Sequence, residues 1–352
     1  MRFTLDATQP RVVFGAGSLA SLPAEMDRLD AHRVLIVGTR GRSELFHRTT
    51  DLLSRRVAGT FDEAVVHVPE AVASRAIIAA ATARADCILS IGGGSPIGVA
   101  KAIALATLLP IVAVPTTYSG SEMTPLWGLT RDGAKQTGRE PRVQPRTVIY
   151  DPELTLDLRP SVSAASGVNA VAHCVEALYA PDANPVTSWM AEEGIRALGE
   201  SLRVIVQSPR DIDARTRALY GAWLAGASLA AVQMGLHHKL SHVLGGSFDL
   251  PHAETHSVLL PYTAEYNAGA APDAMSIVAR ALGGATGPAV LYDLGRQLGT
   301  PSSLAEIGMK ESDLDRAADL AIERPYANPA PVTREGVLSI LQKAFAGERV
   351  LH

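Results

Sequence analysis

Apolar and polar positions along the first half of the chain follow two alternating rhythms. Continuous apolar runs at residues 33–38, 63–68, 86–91, 110–115 and 147–150 read as buried strands, the last stopped by Asp151 and Pro152. Between them, residues 73–84 and 98–108 place small and apolar side chains at helical spacing. Strands alternating with helices predict a mainly parallel sheet covered on both faces. Beyond about residue 160 the strand rhythm stops. Residues 164–180, 185–201, 212–229, 257–267, 289–298 and 333–347 keep helical periodicity. The pattern predicts an α/β nucleotide-type domain over residues 1–157 and an all-helical, substrate-handling domain over residues 158–352.

Composition narrows the setting more than the chemistry. A chain of 352 residues with 47% hydrophobic content can bury a substantial core without staples. A formal net charge of -4 argues against general affinity for nucleic acid or an anionic membrane surface, and leaves room for a local basic pocket. The two cysteines, Cys87 and Cys174, are far apart and make no metal spacing, which suits a reducing compartment. The first residues lack the apolar run of a signal peptide. The apolar stretch 102–114 is broken by Pro110 and too short for a bilayer. A cytoplasmic protein without nucleic-acid or membrane partners is expected.

Two loops carry candidate nucleotide chemistry. Gly92-Gly93-Gly94-Ser95 follows a strand and opens a helix, so backbone N–H groups at the helix start can receive a pyrophosphate, and Ser95 can add a hydroxyl or cap the helix. A tight turn with no ligand would use the same glycines; the position at the carboxyl end of a strand favours the ligand. The next strand runs into Thr116, Thr117, Tyr118 and Ser121, whose hydroxyls suit phosphate, ribose or carboxamide. Gly38 and Thr39, at the end of the first predicted strand, and Lys135 complete the expected cofactor contacts.

The helical half carries the stronger signal. Asn169 and His173 lie four residues apart on one helix face, as do His238 and His242. His237, Lys239, His252 and His256 follow in the same region, so six of the ten histidines are either His173 or lie between residues 237 and 256. Imidazoles from separate segments can hold a divalent cation, hold an anionic substrate, or move protons.

These pieces occur in this order in the iron-containing alcohol dehydrogenase superfamily, which the chain resembles over nearly its whole length. The segments around residues 13–17, 115–125, 148–152, 237–246 and 250–256 are similar to its maleylacetate-reducing members in particular. The resemblance implies a Rossmann-like N-terminal domain joined to an all-α C-terminal domain, a fold shared more distantly with dehydroquinate synthases. It also implies a homodimer, a dicarboxylate substrate reduced at a carbon–carbon double bond, and NADH as hydride donor. With Thr39 where strictly NAD-selective relatives carry Asp, and Arg40 beside it, NADPH should be accepted too. In metal-dependent relatives an Asp and three His hold the ion, and these map onto Asn169, His173, His238 and His252. The neutral amide of Asn169 and the nearby cation Lys239 lead to the expectation that no metal is required and that the ligand positions are vestigial. On that expectation Asn169, His173, His238, Lys239, His242 and His252 bind substrate, with His242 and His238 as the foremost acid–base candidates and His173, His252 and Lys239 assisting. A metal-dependent alcohol or polyol dehydrogenase of the same superfamily is the alternative.

Overall fold

The computed structural model describes residues 3–5, 9–41, 43–131 and 134–350. It divides into two compact units, one spanning residues 8–157 and one built on residues 158–352. In chain order the first unit runs β1 (Arg11–Phe14), α1 (Leu22–Arg28), β2 (Val34–Val37), α2 (Ser43–Leu53), β3 (Val57–Phe61), α3 (Glu70–Thr82), β4 (Cys87–Gly92), α4 (Gly94–Thr107), β5 (Ile111–Pro115), β6 (Leu126–Arg131), β7 (Ala134–Arg139) and β8 (Thr147–Tyr150). Six strands form one sheet in the order β1-β8-β5-β4-β2-β3, with every recorded pairing parallel. The pleat sorts the side chains. Val34, Ile36, Leu89, Ile91 and Val112 join a core with Leu22, Met26 and Leu53 from α1 and α2. Leu35, Val37, Ile88 and Ile111 join another with α3 and α4. Strands buried on both faces read as continuous apolar runs, which is why β2, β4, β5 and β8 were visible in the sequence.

The predicted strand at 63–68 is absent. The sheet edge is β3, and residues 63–68 form a loop in which His67 and Val68 take positive φ (61° and 45°). Val65 and Val66 are exposed, whereas Val68 seats over α4 where Gly98 has no Cβ; a methyl there would lie 2.6 Å from Val68 Cγ2. Packing against a helix, rather than strand pairing, absorbs the apolar end of that run. Helix α4 also starts earlier than predicted, at Gly94, because Pro96 is tolerated in a first turn where its missing N–H is not needed.

The second unit is helical: α5 (Pro160–Tyr179), α6 (Pro185–Gln207), α7 (Ile212–Ala231), α8 (Leu236–Phe248), α9 (His252–Ala268), α10 (Pro272–Leu282), α11 (Gly287–Leu298), α12 (Leu314–Ile322) and α13 (Arg334–Ala346). Helix α5 is buried almost all round from Ser163 to Leu178, the mark of a central helix. Helix α8 ends at Asp249 in the left-handed conformation, and Pro251 immediately opens α9, so two histidine-bearing helices meet at a tight corner. The span Pro272–Leu298 is long and apolar enough for a bilayer by length and composition alone. It is divided into α10 and α11, and 61% of its most apolar window is buried inside the protein.

One ion cluster ties β1, α1 and β8 together. Glu25 accepts Arg11 Nε at 3.0 Å, Arg28 Nε at 3.1 Å and Thr147 Oγ1 at 3.2 Å. Burial raises its pKa, but the two guanidiniums and the hydroxyl outweigh burial and hold Glu25 below its ordinary 4.5. A carboxyl lowered on folding stabilises fully above the unfolded value, and that contribution is lost as pH falls through the folded value. Glu25→Gln should therefore cost about 1 kcal/mol at neutral pH, limited by the solvent-screened arginines. The gap to wild type should shrink below pH 4.5, as denaturant melts at neutral and acid pH would read.

Candidate active site

In the α/β unit the glycine loop is the first turn of α4. Gly92 has φ +137°, and a Cβ there would lie 2.8 Å from Pro96 Cγ; a Cβ on Gly93 would lie 3.0 Å from Thr117. The glycines thus let the two loops touch while Gly93, Gly94 and Ser95 remain accessible at a helix N-terminus, which suits a phosphate. Thr116 N–H donates to Gly92 O at 2.9 Å. Thr116 and Tyr118 are enclosed, so they support the second loop from beneath, while Thr117 is partly accessible.

Ser121 serves another purpose as well. Buried Lys101 on α4 donates from Nζ to Ser121 O (2.7 Å), Ser121 Oγ (3.2 Å), Thr124 Oγ1 (3.0 Å) and Leu126 O (2.6 Å), pinning the loop to the helix. Burial draws this ammonium down to about 7 and Glu122 draws it back. Four surrounding oxygens exceed what a neutral amine can donate to, and favour the charged form. Glu122, fully buried, accepts Tyr150 Oη at 2.8 Å and Ser119 Oγ at 3.1 Å.

At the end of β2, Gly38 is obligatory: a Cβ would lie 2.3 Å from the Phe46 ring. Thr39 and Glu63 pair through an antiparallel backbone bridge, and the Glu63 carboxylate lies 4.0 Å from Arg40 and 2.8 Å from Arg75. Lys135 on β7 is half-buried and has no ion pair among the described residues; burial lowers its ammonium to about 8.

In the helical unit α5 presents Asn169, His173 and Glu176, α8 presents His237, His238 and His242, and α9 presents His252 and His256. The rings form one cluster. Centroid separations are 5.1 Å for His173–His238, 6.2 Å for His238–His242, 6.3 Å for His242–His252, 4.5 Å for His252–His256 and 4.8 Å for His237–His256. His173, His238, His242 and His252 are thus brought together from three helices. His242, His252 and Lys239 are half-buried, and Lys239 makes no ion pair among the described residues.

Hydrogen bonds orient the buried rings. Thr263 Oγ1 donates to the carbonyls of Leu259 or Leu260, so it accepts from His237 Nδ1 at 2.9 Å. His237 Nε2 then accepts from His256 Nδ1 at 2.8 Å, leaving the lone pair of His256 on Nε2. On the other side, His238 Nδ1 lies 2.5 Å from Glu176 Oε2. Burial, reinforced by neighbouring imidazoles, lowers His173 and His256 well below the ordinary histidine range; burial takes His237 to about 3. Burial thus holds these three rings toward the neutral form, so His173 is suited to offer a lone pair rather than a charge. Glu176, His237, His256 and Lys101 had not been picked out as site residues. Glu176 lies three residues after His173 and seven after Asn169, a helical phase that was legible, but its partners lie about sixty residues on.

Residues 163–345 match the family described as "Fe-containing alcohol dehydrogenase family, C-terminal", and residues 9–152 match "Iron-containing alcohol dehydrogenase". The chain belongs to the iron-containing alcohol dehydrogenase family. A maleylacetate reductase of Burkholderia cepacia is 51% identical over 99% of both chains. The crystal structure of maleylacetate reductase from Agrobacterium tumefaciens superposes with a TM-score of 0.94 at 48% identity, covering 99% of this chain and 100% of that one. An iron-containing alcohol dehydrogenase from Corynebacterium glutamicum superposes at 0.93 with 44% identity, covering 99% and 98%.

Membership corrects one expectation. The substitution at Asn169 led to a site that requires no metal, whereas the matching family and a close structural relative are both described as iron-containing. The donors present suit a divalent ion. Asn169 Oδ1, His173 Nδ1 and His238 Nε2 are buried with no hydrogen-bond partner among the described residues, and they are neutral oxygen and nitrogen donors. Among the described residues no group of three His, Cys, Asp or Glu side chains forms an ion-holding array by itself; the Asn169 amide is a donor of a different kind. Asn169→Asp restores an anionic donor and should tighten Zn2+ or Fe2+ binding roughly tenfold or more, measured by competition with a chromophoric chelator. Unchanged affinity would remove Asn169 from the ion's surroundings.

Proposed function

We propose that this protein reduces the carbon–carbon double bond of maleylacetate, giving 3-oxoadipate at the expense of NADH or NADPH. The observation that carries the reading is the cluster of six imidazoles from three helices, four of them buried and two half-buried, in a chain about half identical over its full length to maleylacetate reductases. Maleylacetate is a dicarboxylate whose alkene is conjugated to a ketone. Hydride from the nicotinamide adds to the alkene carbon β to that ketone, and charge develops on the ketone oxygen as an enolate. A proton then goes to the α carbon and closes the balance.

The glycine loop and Lys135 hold the cofactor's phosphates, with Thr117 beside them. Lys239 and His242, half-buried, are placed to meet substrate charge. His242 is the proton donor to the enolate system. His173 and His256, kept neutral and dry, offer lone pairs rather than charge. Asn169, His173, His238 and His252 are the residues that would hold a divalent ion, which would supply Lewis-acid polarisation of the ketone oxygen. The working form is a cytoplasmic homodimer, a reading consistent with two free, buried cysteines.

His242→Ala and His238→Ala should each reduce maleylacetate-dependent NADH oxidation by about two orders of magnitude or more, with NADH affinity nearly intact by fluorescence titration. Full turnover in both would remove the mechanism. If Lys135 grips a cofactor phosphate, affinity should weaken as pH rises through about 8 and its ammonium discharges. Lys135→Met should bind more weakly and show no such inflection. An inflection that persists in the variant would reassign it.

A further inference from the structure

Helix α8 begins without a capping side chain of its own, since its N-cap is Gly235. The cap comes from α5. Glu176 accepts the backbone N–H groups of His237 (2.9 Å), Gly235 (3.3 Å) and His238 (3.3 Å), three donors at a helix start that otherwise lack partners. The positive end of the helix dipole favours a carboxylate there. On the same Oε2 the carboxylate meets His238 Nδ1 at 2.5 Å. A carboxylate ringed by four donors remains an acceptor, so the imidazole proton sits on Nδ1 and the lone pair on Nε2. His238 Nε2 is one of the buried atoms with no partner among the described residues.

We propose that Glu176 is a positioning residue of the active site: it locks His238 in the Nδ1–H tautomer and in the ring orientation that presents the Nε2 lone pair to the ion or substrate. The inference rests on the reading that His238 belongs to the reductase site. Capping alone does not need a buried carboxylate from another helix; Ser, Thr, Asp or Asn at position 235 would do it locally. Position 235 is instead glycine, and a Cβ there would lie 3.2 Å from Glu176 Oε1 and 2.9 Å from Ala327 O. The chain forgoes a local cap and leaves room for the distant carboxylate that also reaches the imidazole. A carboxylate behind a histidine fixes its ring and strengthens its free nitrogen as a donor, and losing such a partner costs about ten- to a hundredfold in metal affinity or activity.

Beside Glu176 lies a cavity of about 160 Å³, lined also by Tyr179, Gln233 and Asn328 and bordered by exposed Gln233 and Ala327. Glu176→Gly would open this space onto His238 and admit formate. In the full-length variant, kcat should fall about ten- to a hundredfold, and added formate should restore it saturably. With 15N-labelled histidine and no added metal, the His238 resonances, assigned by their loss in His238→Gln, should move from the pure Nδ1–H pattern to a tautomer mixture and return with formate. Divalent-ion affinity should fall by a similar factor.

Glu176→Gln, isosteric and offering one acceptor oxygen to four donors, guards against a glycine variant that does not fold; it should show the same tautomer mixture. An unchanged tautomer in a folded variant, or a turnover loss that formate does not relieve, overturns the proposal. His238→Ala separates the two readings. Full turnover there sinks the site assignment itself, whereas turnover lost in His238→Ala but kept in Glu176→Gly sinks the positioning role alone.

Discussion

The helical unit is organised by the cost of taking imidazoles out of water. A buried ring disfavours charge, and each N–H it retains must find an acceptor. Both demands are met by fixed partners: Thr263 for His237, His237 for His256, and Glu176 for His238. The result is a floor of oriented rings, with His173, His237 and His256 held toward the neutral form, next to His242, His252 and Lys239, which are only half-buried. Rings fixed by buried partners and side chains open to water are thereby set side by side, although they come from the same short helices.

This separation explains what the sequence revealed and what it hid. Strands β2, β4, β5 and β8 were legible because a strand covered on both faces must be apolar at every position. Edge strand β3, with Gly59 at its centre, carries no such signature, whereas the more apolar run after it has a strand's pattern but ends with Val68 seated on Gly98. The hairpin β6–β7 mixes Trp127 with Lys135 and Arg139 and follows neither rhythm clearly. In the site, helical spacing exposed the pairs Asn169–His173 and His238–His242, because each pair lies on one turn of one helix. Glu176 shares that face, yet what makes it matter is the start of α8, and no local pattern records a contact across so many residues. Charge is harder still to read: no local pattern records that burial among other imidazoles lowers His173 well below the ordinary histidine range.

The amide at position 169 does not by itself remove the metal from the site. One neutral donor in place of an acid lowers the charge that a bound cation meets; it does not abolish a donor set. The unpartnered atoms of Asn169, His173 and His238 have the chemistry of ligands, and the family to which the chain belongs is described by its iron. The same cluster thus has to be judged by two properties at once: the softness and charge of its donors, and the polarity of the dicarboxylate proposed to approach it.

What distinguishes the proposed reaction is delivery of hydride to the alkene carbon β to the ketone rather than to the carbonyl carbon. It is tested most directly by turning over maleylacetate with nicotinamide cofactor deuterated at the transferring position and locating the label by NMR. The account predicts 3-oxoadipate with deuterium on the carbon β to the ketone, and the ketone itself retained. Deuterium on a newly formed carbinol carbon, with the double bond intact, would contradict it.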